Sequence, residues 1–75
     1  MNNEVLILFG KHLTQLRKKS NLSQEKLAEK SGLHRTYIGM IERGEKNITL
    51  INIIKISNAL NIELKEFMNF LNKNQ

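Results

Sequence analysis

Apolar residues recur at helical spacing along nearly the whole chain, punctuated by single glycines and asparagines and never by proline. Phe9, Leu13 and Leu16 stand at i, i+4 and i+7, the repeat of one helix face, and predict a first helix from about Glu4 to Lys19. Lys18 and Lys19 close it where cations suit the negative end of the helix dipole. Asn21 breaks the pattern, and Leu22 is placed to plug the core from the loop. Ser23 is a good N-cap for a second helix. Lys26, not Glu, follows three residues later, so the cap is simple and not a reciprocal box. Gly32 suits the left-handed conformation that ends this helix.

A third helix is expected from near His34 to Gly44, with Ile38 and Ile41 facing inward. A fourth follows Asn47 with Thr49 as its cap. Its stripe reads Ile53, Ile54, Ser57 and Leu60, with Ile56 beside it, and Asn58 and Asn61 mark its end. The fifth, about Glu63 to Leu71, presents Leu64, Phe67, Met68, Phe70 and Leu71, more apolar surface than one inward stripe uses. Asn72 to Gln75 read as a polar tail. The pattern is all-α: a compact five-helix domain.

Length makes this one domain, residues 1–75, with a core from about 4 to 71. A core this small is marginal and commonly borrows stability from disulfides, metal or a second subunit. Cysteine is absent, which excludes disulfides and thiolate metal sites. His12 and His34 are too far apart in sequence to suggest a metal site, and there is no Asp. Dimerisation is the natural remaining source of burial. Twelve Lys and Arg against seven Glu give a net charge of +5, which points to an anionic partner. The longest apolar run, Val5 to Phe9, is too short to span a bilayer and has no basic lead-in or cleavage site. The chain reads as soluble and cytoplasmic. No paired carboxylates, phosphate loop or nucleophile–base set suggests an enzyme, and no cofactor is implied.

Residues 24–43 carry the sharpest signal. Two helices joined by a short glycine-containing turn must cross steeply, so that the second projects from the body. Such a crossing needs a small side chain where the backbones approach, and Ala28 stands there. The turn needs a residue that tolerates positive φ, supplied by Gly32, and the projecting helix needs branched apolar residues facing back, supplied by Ile38 and Ile41 against Leu27 and Leu33. The outer face of that helix then shows His34, Arg35, Thr36, Tyr37, Gly39, Met40 and Arg43, with no acid before Glu42. Residues at the start of such a helix reach base edges in the major groove. Arg35 is suited to a two-pronged contact with guanine O6 and N7, and Thr36 to either base type or a thymine methyl. Tyr37, one position round the helix, is better placed to give its hydroxyl to a phosphate.

Gln24 and the first amides of the second helix are expected to clamp a backbone phosphate. Asn47, Thr49 and Asn52, around the next helix start, are candidates for the opposite phosphate ridge, and Lys46 for either base or backbone. Met40 completes the set expected at the bases and Arg43 the set at the phosphates. Phosphate contacts fix register; base contacts carry sequence information.

Ser23-Gln24-Glu25-Lys26-Leu27-Ala28, then Gly32-Leu33-His34-Arg35-Thr36-Tyr37-Ile38, then Ile41-Glu42-Arg43-Gly44, closely resembles the lambda-repressor-like (XRE-type) helix-turn-helix family. The resemblance runs from about Phe9 to Phe67. Arg-Thr-Tyr-Ile before Ile-Glu-Arg-Gly, followed by Asn-Ile-Thr-Leu, looks most like the controller proteins of restriction–modification systems. These are small dimers that bind operator repeats and control their own gene and that of the endonuclease. The resemblance implies base contacts from Arg35 and Thr36, phosphate contacts from Gln24, Tyr37 and Asn47, an inter-helix ion pair between Arg17 and Glu42, and dimerisation through the last helix. Gly39 departs from the family, where a longer polar residue is usual.

The expected function is sequence-specific binding of double-stranded DNA by a homodimer reading a pseudo-palindromic operator. Leu50, Ile51, Ile54, Phe67, Phe70 and Leu71 are the candidates for the dimer interface. Phe67 is the better core candidate of the two phenylalanines and Phe70 the better interface candidate. Within regulators, a phage-type repressor or a toxin–antitoxin antitoxin are the alternatives. The lack of an appended cleavage domain disfavours a protease-triggered repressor. A protein-interaction module that does not bind DNA is the alternative from another class, disfavoured by Arg35-Thr36-Tyr37.

Overall fold

The computed structural model describes residues 3–72. Five α-helices follow one another: α1 (Glu4–Lys19), α2 (Gln24–Ser31), α3 (Arg35–Glu42), α4 (Leu50–Leu60) and α5 (Leu64–Phe67), then a 3-10 turn (Asn69–Asn72). Among the described residues there is no strand. Lys73 to Gln75, most of the expected polar tail, lie outside the described residues, whereas Asn72 closes the 3-10 turn.

The helix ends follow from local chemistry. Ser23 accepts a hydrogen bond from the amide of Lys26, and Thr49 from that of Asn52, each satisfying one of the unpaired donors of a first turn. His34 caps α3 through its ring, accepting from the amide of Thr36 at 3.2 Å. Gly32 (φ 72°) ends α2 in the left-handed conformation. The helix exits at Asn21 (φ 60°) and Asn61 (φ 58°) use the residue type that tolerates this region best after glycine.

Phe9, Leu13, Leu27, Ala28, Ile38, Ile41, Ile56, Leu60, Phe67 and Phe70 form the core, with Leu16, Leu22, Leu33, Ile48 and Ile53 packed partly buried against it. Two close approaches set its geometry. At Gly10, α1 crosses the end of α3 so tightly that a Cβ would stand 2.5 Å from the Glu42 carbonyl oxygen and 2.6 Å from that of Ile41. At the other side, His12 is buried with its Nε2–H donating to the Phe67 carbonyl at 2.8 Å, and its ring stacks on Phe67 and Phe70 at 6.0 and 5.6 Å. Phe9 packs on the same two rings, 5.3 Å from each. The first helix therefore clamps α3 with one face and the C-terminal segment with another.

Several expectations are corrected here. The fifth helix does not run to Leu71: it ends at Phe67, and the chain tightens into the 3-10 turn after Met68. That change of winding carries Phe70 back onto Phe9 and His12, so Phe70 is a core residue and not an exposed interface residue. Phe67 is fully buried as well, so it too leaves the set of surface candidates. On α4 the inward stripe is Ile53, Ile56, Ser57 and Leu60. Ile54 sits 100° further round than Ile53 and is 40% exposed.

Candidate nucleic-acid interface

Recognition-helix side chains must stand clear of the globule to enter a groove, and α3 meets this condition. Its inner side buries Ile38 and Ile41 completely against Leu27 of α2 and the rest of the core. Arg35 and Thr36, at the start of the helix, are exposed. The ion pairs among the described residues are Arg17–Glu42, Lys26–Glu29 and Arg43–Glu45. Arg35 joins none of them, so its guanidinium is not committed to Glu25 or Glu42.

The only acid within α3 is turned away from this face. Glu42 receives Nε of Arg17 at 2.6 Å, Nη2 of Arg17 at 3.1 Å and Nε2 of Gln24 at 2.9 Å. Arg17 also donates from Nη1 to the Leu22 carbonyl at 2.8 Å, which ties the loop before α2 to the same knot. Burial by itself pushes the Glu42 carboxyl up, but the hydrogen bonds from Arg17 and Gln24 and the Arg17 charge outweigh it and hold the group below its ordinary value. A negative charge is thereby neutralised and withdrawn from the surface that would meet phosphate.

Part of the expected phosphate set is held by contacts within the set, and part by neighbouring carboxylates. Gln24, the first residue of α2, is held by Glu42, and its amide keeps a second N–H. Tyr37 is half-buried, and its hydroxyl accepts from Nδ2 of Asn52 at 3.0 Å. Because the tyrosine oxygen is the acceptor in that bond, its own proton remains to be donated outward. Thr49 likewise accepts from the amide of Asn52 and keeps its hydroxyl proton. Lys46 and Asn47 are exposed in the loop between α3 and α4, and Met40 is half-buried on α3. Arg43, at the end of α3, forms a two-point pair with exposed Glu45, Nε–Oε2 2.9 Å and Nη2–Oε1 3.1 Å. The Glu45 carboxyl is held low by the Arg43 hydrogen bond, and Arg43 is raised in turn by Glu45.

One member of the expected outer face is placed differently. Gly39 points outward yet is buried, because the side chains of Arg35, Arg43 and Gln24 lie over it. The knot that Gln24 forms with Glu42 and the Tyr37–Asn52 bridge depend on residues distant in sequence, and no local signal reveals them; the covering of Gly39 by Arg35 and Arg43, one turn to either side of it, is a local helix relationship. Of the expected residues, Gln24, Arg35 and Arg43 come together around Gly39, and Tyr37 and Thr49 meet at Asn52.

The helix-turn-helix family profile matches residues 13–67, which spans this whole arrangement. The control protein C.BamHI of Bacillus amyloliquefaciens is 52% identical over 71 residues, covering 93% of this chain and 88% of its own. The control protein C.MunI of a Mycoplasma species is 44% identical over 72 residues, covering 95% and 97% respectively. The chain belongs to the controller-protein branch of the helix-turn-helix family. The crystal structure of the restriction–modification controller protein C.AhdI from Aeromonas hydrophila superposes with a TM-score of 0.84 at 48% identity, over 87% of this chain and 98% of that one. Controller membership agrees with the all-helical architecture and with the motif spacing at Ala28, Gly32, Ile38 and Ile41. Among the described residues of this controller-family chain, no helix is long and apolar enough to cross a membrane.

Proposed function

We propose that the protein is a homodimeric transcriptional regulator of the restriction–modification controller kind. It reads a pseudo-palindromic operator in double-stranded DNA through the major groove, without enzymatic chemistry or a cofactor, in the cytoplasm. The observation that carries this reading is the outer face of α3: Arg35 and Thr36 exposed at its start, Arg35 outside every ion pair among the described residues, and Glu42 withdrawn into a bonded knot. Arg35, Thr36, Met40 and Lys46 meet base edges. Gln24, Tyr37, Arg43, Asn47, Thr49 and Asn52 meet phosphates on the two flanking ridges. The control of a restriction enzyme follows from the relatives named above, and the net charge of +5 supplies the long-range attraction.

Selection of bound duplexes from a random pool, repeated over a salt series, tests the reading. The expected result is enrichment of two related half-sites about 10 bp apart centre to centre, with binding that weakens steeply as salt rises. Recovery of no common sequence, or affinity indifferent to salt, would overturn it.

A further inference from the structure

Gly39 lies in the interior of α3, where glycine weakens a helix relative to alanine. Its φ is not in the left-handed region, so the backbone does not require it. Nor does close backbone packing: the three atoms nearest a Cβ built there are all the ends of polar side chains. Such a Cβ would meet Nη1 of Arg43 at 3.2 Å, Nη1 of Arg35 at 3.5 Å and Oε1 of Gln24 at 3.8 Å. Arg35 reaches forward along the helix and Arg43 reaches back, and the two guanidinium groups converge on the space the glycine leaves empty.

Two cations drawn together without an acid between them form a place for an anionic or strongly accepting ligand. Glu45 balances Arg43 from outside, and among the described residues Arg35 has no carboxylate partner. A planar guanidinium offers paired donors to guanine O6 and N7 or to two phosphate oxygens. We propose that Gly39 is a specificity-determining position: its missing side chain lets Arg35 and Arg43 lie side by side, so that one guanine edge and the phosphate beside it are gripped together. This rests on the DNA-reading function proposed above. It assigns a role to a residue that makes no polar side-chain contact itself.

The arrangement makes stability and discrimination move in opposite directions. The atoms nearest the added Cβ are the mobile ends of long side chains, so Gly39→Ala and Gly39→Leu are accommodated by the fold. Both replace glycine with a better helix former. Both also push the guanidinium groups apart, leucine more than alanine. The test measures the melting temperature and the ratio of affinities for the selected operator and for a scrambled duplex. It compares the wild type with Gly39→Ala, Gly39→Leu and, as a control, Arg35→Ala.

Expected are a melting temperature higher by about 4 °C or more for Gly39→Ala and a ratio that falls in steps, by roughly tenfold for Gly39→Leu. Weak binding to the scrambled duplex should persist. A Gly39→Leu protein that keeps the wild-type ratio, while Arg35→Ala loses it, overturns the role of Gly39 and leaves the DNA-reading assignment standing. Should Arg35→Ala keep the ratio as well, that assignment falls, and this inference with it.

Discussion

Arg17 and Glu42, 25 residues apart in the chain, meet in a two-point ion pair that joins the end of α1 to the end of the recognition helix. Their side chains are only 11% and 6% exposed. A pair this enclosed is judged by what its rupture leaves behind. Both charges have lost water, and the hydrogen bonds and mutual attraction that replace it last only while both partners are present. Removing one partner strands the other without compensation. Gln24 and the Leu22 carbonyl, bonded to the same knot, would lose their alignment with it.

The knot makes stability depend on pH. Glu42 is held below its ordinary value of about 4.5 in the folded protein, and the unfolded chain has no such partners. The unfolded state therefore takes up the proton first. The stabilisation is fully present above the unfolded value and is lost as pH falls through the folded one. Arg17→Ala is expected to cost about 3 kcal/mol at neutral pH, measured by urea unfolding. Glu42→Gln should lower the midpoint at pH 7 and flatten its decline below pH 4.5. An undiminished decline in that variant would mean that other carboxylates carry the acid sensitivity.

A substitution at Gly10 is expected to act with the opposite sign to one at Gly39. Alanine there gains helix propensity of about 1 kcal/mol. Its methyl would also stand 2.5–2.6 Å from two backbone carbonyl oxygens, which cannot swing aside as a side chain can. Overpacking of this kind costs about 1–3 kcal/mol, so Gly10→Ala should have a net lower stability and shift the end of α3. Thermal melting checks the first effect. A Gly10→Ala protein more stable than the wild type would show that α1 is free to retreat from α3.

The contrast between these glycines shows where sequence reading succeeds. The caps at Ser23 and Thr49, the turn at Gly32 and the inward Ile38 and Ile41 were legible because each is a local requirement met within a few residues. The outward placement of Arg35 and Thr36 follows from the same helix phase. Nothing local marks Gly10, since its reason lies in carbonyl groups over thirty residues away. Nothing near His12 in sequence shows that it bonds Phe67 and stacks on Phe70. Phe70 is a related case: the apolar surplus of a single α-helix gives no sign of the tightening after Met68.

With Phe67 and Phe70 assigned to the core, the surface left for a second subunit is better defined. Leu50 and Ile51 are each 66% exposed and Leu71 is 54% exposed, with Ile54, Leu64 and Met68 also uncovered. Exposed apolar side chains are costly in water, and the subunit interface is expected at those of α4 and the C-terminal segment. Ile51→Glu should therefore leave the helical content unchanged, because Ile51 has little packing to lose within one subunit. It should convert the dimer to monomer in sedimentation and sharply weaken operator binding, since one subunit holds a single half-site. Phe70→Ala should do the reverse and lower the melting temperature by emptying the space between Phe9 and His12. Two recognition helices related by that interface must lie about 34 Å apart to enter successive turns of one groove. If Ile51→Glu still sediments as a dimer, the subunits join through another face, and the half-site spacing has to be derived from that face instead.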